Sequence, residues 1–131
     1  TTTVCTVSGS AVTFVGAGTC RVTANSAADA SYKVATAVTK AITVAKAANP
    51  ITVTAPATTG ATLKVGNTLT VAATSPGGTV SVATSTATIC TLTGSTLKGV
   101  KAGSCKLTFS KATSTNYLAA TSVVVYVTVQ P

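Results

Sequence analysis

The chain has 131 residues, no histidine, methionine or tryptophan, one acidic residue, Asp29, and nine lysines and arginines that give a net charge of +8. General acid–base catalysis usually needs histidine or a pair of carboxylates, and Asp29 alone provides neither. Calcium and magnesium sites need several carboxylate oxygens, so they are excluded as well. We therefore expect a protein that is not an enzyme and that has no cofactor, although residue counts leave a Ser–Lys dyad or a threonine nucleophile open.

The chain contains an internal repeat with a long period. Residues 1–46 correspond position by position to residues 86–131. The cysteines fix the register, because both pairs of corresponding cysteines are separated by 85 positions. A fixed long period is typical of arrays of structural modules. The corresponding cysteines are Cys5 with Cys90 and Cys20 with Cys105.

The first copy, residues 1–46, consists of short runs in which Thr, Val and Ala alternate. Such runs favour half-buried β-strands, and the turns between them are rich in Gly and Ser. A sandwich module needs more strands than this copy has. Residues 1–46 are therefore predicted to be the C-terminal half of a module that lacks its first strands. The predicted strands cover 3–8, 11–15, 19–25 and 35–44.

A complete module is predicted over residues 47–131. The short segment 46–50 is the expected linker, and Pro50 at its end limits the backbone, so neighbouring modules should form a stiff string. Seven or eight short strands in one period favour a two-sheet antiparallel sandwich of immunoglobulin-like type. The predicted strands cover 50–55, 61–65, 68–74, 79–83, 88–93, 96–100, 105–110 and 121–129.

One strand of the second copy departs from the first. Gly99 stands where the first copy has Phe14. Because glycine weakens a strand and gives it no side chain to pack, this replacement predicts a bulge or a weak edge at that point.

The four cysteines favour disulfides and therefore an oxidising, extracellular or cell-surface location. Four cysteines allow three connectivities, and a module that must stand alone in an array favours local pairs. Closing a loop of this size stabilises a module by about 3 kcal/mol. The alternatives are buried free thiols or a zinc site, whose usual Cys-x2-Cys spacing the chain lacks. The favoured pairs are Cys5–Cys20 and Cys90–Cys105.

A disulfide also constrains how the strands are arranged. If the strands around Cys5 and Cys20 were the first and third of one flat sheet, they would lie about 9.6 Å apart. That is too far, since the Cα atoms of a disulfide lie roughly 4.4–6.8 Å apart. Either the third strand crosses to a facing sheet, or the cysteines lie at strand ends where two sheets converge. Both arrangements favour a sandwich.

The cysteine segments carry a family resemblance. Residues 4–25, which include Val-Cys-Thr-Val-Ser-Gly-Ser and Gly-Ala-Gly-Thr-Cys, closely resemble the bacterial immunoglobulin-like repeats, and so does the corresponding second segment up to Cys105. These repeats occur in tandem in large secreted and cell-surface proteins, including adhesins. The resemblance covers nearly the whole chain. It implies an all-β fold of immunoglobulin-like antiparallel β-sandwich modules in tandem, the first one incomplete, and it carries over no catalytic residues.

We therefore expect a structural, non-catalytic repeat module of an extracellular bacterial fibre, filament or surface stalk. An uncovered half-module has an open apolar face and free strand edges, which tend to pair with other chains. Self-association with neighbouring copies or chains by strand exchange is one expectation, and contacts of that kind can propagate into filaments. The other is that the half-module is a piece of a longer array.

The alternative function is an adhesin module that binds a glycan or an anionic polymer, such as a cell-surface polysaccharide. The cations are scattered and lack interleaved aromatic residues, so specific nucleic-acid binding is not expected. Scattered lysines more often keep sheet edges from pairing. No run reaches the ~18 apolar residues of a membrane span. The cations are Arg21, Lys33, Lys40, Lys46, Lys64, Lys98, Lys101, Lys106 and Lys111.

Three further residues are candidates for a structural or functional role. Asp29 could take part in an isopeptide cross-link, but its counterpart is Ser114 and it lies in a predicted loop, so we expect a solvated loop residue. Tyr32 and Tyr117 occupy corresponding positions before the last strand of each copy. We expect them to pack as a structural corner rather than to contact a ligand.

Overall fold

A computed structural model of the chain describes residues 2–56 and 60–131. These residues form β-strands and no helix, so the described chain is all-β, as predicted. Residue 1, the first of the expected half-module, lies outside the described residues. The strands are β1 (Cys5–Ser8), β2 (Ala11–Phe14), β3 (Gly18–Ala24), β4 (Val38–Val44), β5 (Thr52–Ala55), β6 (Thr62–Lys64), β7 (Thr68–Thr70), β8 (Ala72–Thr74), β9 (Ser81–Thr84), β10 (Cys90–Thr93), β11 (Thr96–Gly99), β12 (Gly103–Ser110) and β13 (Val123–Gln130).

The chain divides into two compact units between Ala47 and Ala48. We call residues 2–47 unit 1 and Ala48–Pro131 unit 2. The repeat predicts a division one residue earlier, inside the expected linker.

Unit 2 has two layers of strands around one apolar core, an arrangement consistent with a β-sandwich. One layer contains the antiparallel sheet β10-β11-β7, and β8, one residue after β7, pairs with β5. The other is the sheet β6-β13-β12-β9, in which β6 and β13 are parallel and the other neighbours are antiparallel. Every second side chain of β12 and β13 points into the core. The buried core consists of Leu63, Val71, Cys90, Leu97, Cys105, Leu107, Phe109, Val125, Val127 and Val129.

The prediction of one strand over 68–74 is wrong, because the strand is interrupted at Val71. The Val71 N–H donates to the carbonyl of Ser95 at 2.8 Å, in the loop between β10 and β11. The Val71 side chain is buried in the core. Because of this interruption, β7 pairs with β11 and β8 pairs with β5. The single predicted strand therefore contributes to two ladders.

The prediction of a bulge or weak edge at Gly99 is also wrong. Gly99 pairs with Cys90 in a regular register, and its strand β11 lies between two neighbours. A Cβ at Gly99 would lie 2.8 Å from the carbonyl oxygen of Lys64 and 3.0 Å from a methyl group of Val129. Glycine is needed here because the space is filled, not because the strand is weak.

The start of β10 differs from the prediction for a local reason. The N–H groups of Ile89 and Cys90 both donate to the carbonyl of Thr86, at 2.9 and 3.0 Å. This turn holds residues 86–89 out of the ladder, so the strand begins at Cys90 rather than at residue 88. The other predicted strands are present with bounds that differ by a few residues.

Unit 1 contains the four predicted strands as two separate antiparallel pairs, β1-β2 and β3-β4. Among its described residues only Cys5 and Cys20 are buried. The apolar positions of the strands therefore lie on a surface rather than in a core.

The corresponding positions Leu97 and Val12 should respond differently to truncation. Leu97→Ala removes a fully buried side chain, so we expect it to lower the free energy of unfolding of unit 2 by about 2–5 kcal/mol. Val12→Ala is the matched control, because Val12 occupies the same place in a unit without a closed core. Urea denaturation followed by circular dichroism measures both. Equal shifts for the two variants would contradict the two-layer core.

Candidate functional site

The disulfide of unit 2 joins the two layers. Cys90 is the first residue of β10 and Cys105 lies on β12, which belongs to the other sheet. Their Cα atoms are 5.9 Å apart, within the reach that a disulfide requires. Both cysteines are fully buried. The cysteines therefore lie in facing sheets, which is the first of the two arrangements that the reach of a disulfide allows.

Two threonine hydroxyls lie beside this disulfide. The hydroxyls of Thr84 and Thr86 are 3.3 and 3.4 Å from Cys90 Sγ. Thr86 Oγ1 also accepts the N–H of Lys106 at 3.0 Å, so it connects the turn before β10 to β12. Sequence reasoning missed these hydroxyls, because threonine is common throughout the chain and nothing marks these two.

Unit 1 has the corresponding disulfide, Cys5–Cys20, with Cα atoms 5.7 Å apart. It joins β1 to β3, which lie in different strand pairs. Both disulfides close loops within one copy, and the described residues contain no free cysteine. They also contain no cluster of three or more His, Cys, Asp or Glu side chains that could hold a metal ion.

The expected linker is anchored at Asn49. Its Oδ1 accepts the N–H of Gly77 at 2.8 Å and the hydroxyl of Ser75. Asn49 is buried, and a Cβ at position 77 would lie 2.7 Å from its Nδ2. This contact fixes the start of unit 2 to the Ser75–Gly78 turn. The Ser-Pro-Gly-Gly sequence indicates the turn, but not its partner.

Open clefts lie among the described residues of unit 2. One, of about 560 Å³, lies between the layers and is lined by Val71, Val82 and Phe109 among others. The other, of about 450 Å³, lies beside Asn49 and Leu118. No charged side chain lines either cleft. Neither therefore brings together groups for acid–base chemistry or for anion recognition.

The cations are spread over both units and many elements. Arg21 lies on β3 and Lys40 on β4 of unit 1, while others lie on three strands of unit 2. Lys106 stands opposite Tyr126 across the β12-β13 ladder, and the ring of Tyr126 is half exposed. A single aromatic residue beside a single lysine does not form a stacking platform.

Asp29 is a turn residue. Its Oδ1 accepts the N–H groups of Ser31 and Tyr32, both at 2.8 Å, and it is exposed. Tyr32 is 76% exposed, so the expectation that it packs as a structural corner is wrong. In unit 2 the corresponding Tyr117 is half-buried.

The open side of unit 1 is its most distinctive surface. We define the open face as five side chains whose counterparts in unit 2 are all buried: Val12, Phe14, Val22, Ile42 and Val44, which correspond to Leu97, Gly99, Leu107, Val127 and Val129. Ile42 is 36% exposed, whereas its counterpart Val127 is 0% exposed. Phe14 is 49% exposed. The other three are half-buried, and the five lie on two separate strand pairs, β1-β2 and β3-β4. Exposed apolar side chains grouped in this way are typical of an interaction surface.

Comparison with known proteins finds no matching family model, no similar curated protein and no similar solved structure. The described residues contain no helix long and apolar enough to cross a membrane.

Each disulfide should stabilise only the unit that contains it. Replacing Cys90 and Cys105 together with alanine removes a closed loop and two buried side chains, so we expect unit 2 to lose at least about 3 kcal/mol of stability. The matched control replaces Cys5 and Cys20 and should leave the unfolding of unit 2 unchanged. Urea denaturation of the oxidised proteins measures both. A similar loss in the control would show that the units do not fold separately.

Proposed function

We propose that this chain is a structural, non-catalytic repeat module of an extracellular bacterial fibre, filament or surface stalk, built from immunoglobulin-like units in tandem. The strand order of unit 2 supports this. The series β5, β8/β7, β11, β10 and the opposing series β9, β12, β13 follow the two sheets of an immunoglobulin constant-type domain, with β6 added at the edge. Two disulfides suit an oxidising environment outside the cell.

The observation that carries the proposal is the parallel pairing of β6 with β13. Strand β6 lies near the start of unit 2 and β13 near its end, and their ladder matches Thr62 with Thr128 through Lys64 with Gln130. Tension along an array pulls β13 from its C-terminal end and, once β5 has separated from β8, pulls β6 from its N-terminal end. Because parallel strands point the same way, this tension shears the ladder and stretches its hydrogen bonds together rather than one by one.

Further hydrogen bonds extend this ladder at both ends. The Thr128 N–H donates to the carbonyl of Ala61, and the Val65 N–H donates to the carbonyl of Gln130, both at 2.9 Å. Just beyond, the Gly66 N–H donates to the carbonyl of Gly99 at 2.9 Å, which joins the end of β6 to the other layer. The β6-β13 ladder, which is part of one sheet, is therefore also hydrogen-bonded to the other sheet.

The disulfide adds a second mechanical property. Cys90 and Cys105 are 15 positions apart, so the chain between them cannot extend while the bond is intact. With about 3.6 Å per extended residue, each oxidised module should lengthen by roughly 50 Å less on unfolding than a reduced one. In a stalk, such a disulfide limits how much each module, and therefore the whole array, lengthens under tension.

Forced unfolding of single molecules tests the role of the ladder. Val65→Pro removes the N–H that bonds to Gln130, whereas Val65→Ala, the matched control, keeps it. We expect the proline variant to unfold at a clearly lower force than the alanine variant, because forced unfolding follows the unfolding rate. The measurement uses tandem copies pulled from their two ends.

Equal unfolding forces for the two Val65 variants would contradict the proposed mechanical role. So would unfolding of the unsubstituted module at forces near zero, since a stalk module must resist tension.

A further inference from the structure

The disulfide of unit 2 has an asymmetric environment, because hydrogen-bond donors gather beside one of its two sulfurs. The hydroxyl oxygens of Thr84 and Thr86 lie 3.3 and 3.4 Å from Cys90 Sγ. Thr84 Oγ1 lies 4.0 Å from Cys105 Sγ, which is a much weaker contact. The two sulfurs are therefore not chemically equivalent.

The hydroxyl protons are available to Cys90 because the hydroxyl oxygens already act as acceptors. Thr84 Oγ1 accepts the N–H of Thr86 at 3.2 Å, and Thr86 Oγ1 accepts the N–H of Lys106 at 3.0 Å. The two hydroxyl oxygens are also 3.1 Å apart, so one hydroxyl can donate to the other. Whichever of them does so, the other keeps its proton for Cys90 Sγ, since each hydroxyl has only one. At least one donor therefore serves this sulfur.

Such donors matter little to the sulfur of a disulfide but much to a thiolate. Hydrogen bonds to a charged group favour the charged form and are stronger than those between neutral groups. When an external thiolate breaks a disulfide, the leaving sulfur takes the negative charge, and the better-stabilised thiolate leaves faster. Cys90 is therefore the favoured leaving group, and Cys105 Sγ is the favoured point of attack.

The disulfide is fully buried, but the segment beside it is a turn rather than a strand. Strand β9 ends at Thr84, which pairs with Leu107, so β9 does not extend alongside Cys105. Residues 85–89 follow, and they lie outside the ladders. Segments outside ladders open at a lower free-energy cost than core strands do. Local opening of this turn exposes the disulfide while the four-stranded sheet stays paired and Thr84 keeps its place on β9.

We propose that the Cys90–Cys105 disulfide is a directional thiol-exchange site that accepts a small thiol at Cys105. The sulfur of the incoming thiolate forms a bond to Cys105 Sγ while the bond between the two cysteines breaks. The electron pair of the broken bond stays on Cys90 Sγ as a thiolate. The incoming sulfur is oxidised to a mixed disulfide and Cys90 is reduced, so no further reactant is needed. Cys90 Sγ can then take a proton from water and donate it to the carbonyl of Thr86, 3.6 Å away.

The exchange changes how far unit 2 can extend. The intact bond keeps the chain between positions 90 and 105 from extending, and the mixed disulfide releases it. The direction of exchange rests on the contacts around the disulfide and not on the proposed mechanical role, which forced unfolding tests separately.

Peptide mapping after thiol exchange tests the proposal. The full oxidised chain is incubated with glutathione without denaturant, and free thiols are then blocked with N-ethylmaleimide. Trypsin places the two cysteines on different peptides, because Lys98 and Lys101 lie between them. Mass spectrometry without reduction gives the ratio of glutathione on Cys105 to glutathione on Cys90. We expect a ratio of at least about ten, because the hydroxyls stabilise the Cys90 thiolate.

Three variants separate the effect of the hydroxyls from an effect on stability. T84V/T86V removes both hydroxyls and keeps the shape of the side chains, so the ratio should fall below about three. The matched control T88V/T91V removes two exposed hydroxyls of the same turn and of β10, and it should keep the ratio of the unsubstituted chain. Leu97→Ala lowers the stability of unit 2 but leaves Thr84 and Thr86 intact, and it should also keep the ratio.

Four results would overturn the proposal. A ratio near or below one in the unsubstituted chain would show that the hydroxyls do not direct the exchange. An unchanged ratio in T84V/T86V would assign the direction to another cause. An equal loss of the ratio in Leu97→Ala would show that exchange occurs through global unfolding. The absence of any glutathione adduct without denaturant would show that the folded module is not an exchange site.

Discussion

Apolar side chains stabilise a β-sandwich only when both of its layers have enough strands to enclose them, and this constraint explains both halves of the chain. In unit 2, β5, β7 and β8 extend the layer of β10 and β11, β6 and β9 extend the sheet of β12 and β13, and side chains such as Leu97 and Val127 are fully buried. In unit 1 the same strands recur, yet only Cys5 and Cys20 are buried among its described residues. Corresponding strands therefore contribute to a core in one unit and to a surface in the other, because their neighbours differ.

One covalent bond and several hydrogen bonds of unit 2 connect one layer to the other. The disulfide joins β10 to β12, Thr86 bonds to the backbone of Lys106, and the end of β6 bonds to Gly99. Contacts of this kind resist separation of the sheets.

Much of the fold could be predicted from the sequence, because its causes are local or periodic. Alternation of Thr with Val and Ala indicated the strands, and the reach of a disulfide restricted the cysteines to facing sheets or to strand ends where two sheets converge. The features that were missed depend on contacts between distant residues. Val71 leaves its strand to bond with Ser95, Gly99 is small because Lys64 lies against it, and Asn49 is buried by the turn at Gly77. No pattern near these residues identifies their partners.

Hydrogen–deuterium exchange tests the central claim most directly, because it compares the two copies within one molecule. The β3-β4 ladder and the β12-β13 ladder have corresponding registers, Cys20 with Ile42 and Cys105 with Val127. If the additional strands of unit 2 decide stability, the amides of β12 and β13 should exchange at least about a hundredfold more slowly than those of β3 and β4. Similar protection in both ladders would show that the strands of unit 1 are equally stable without such neighbours, and would contradict this explanation.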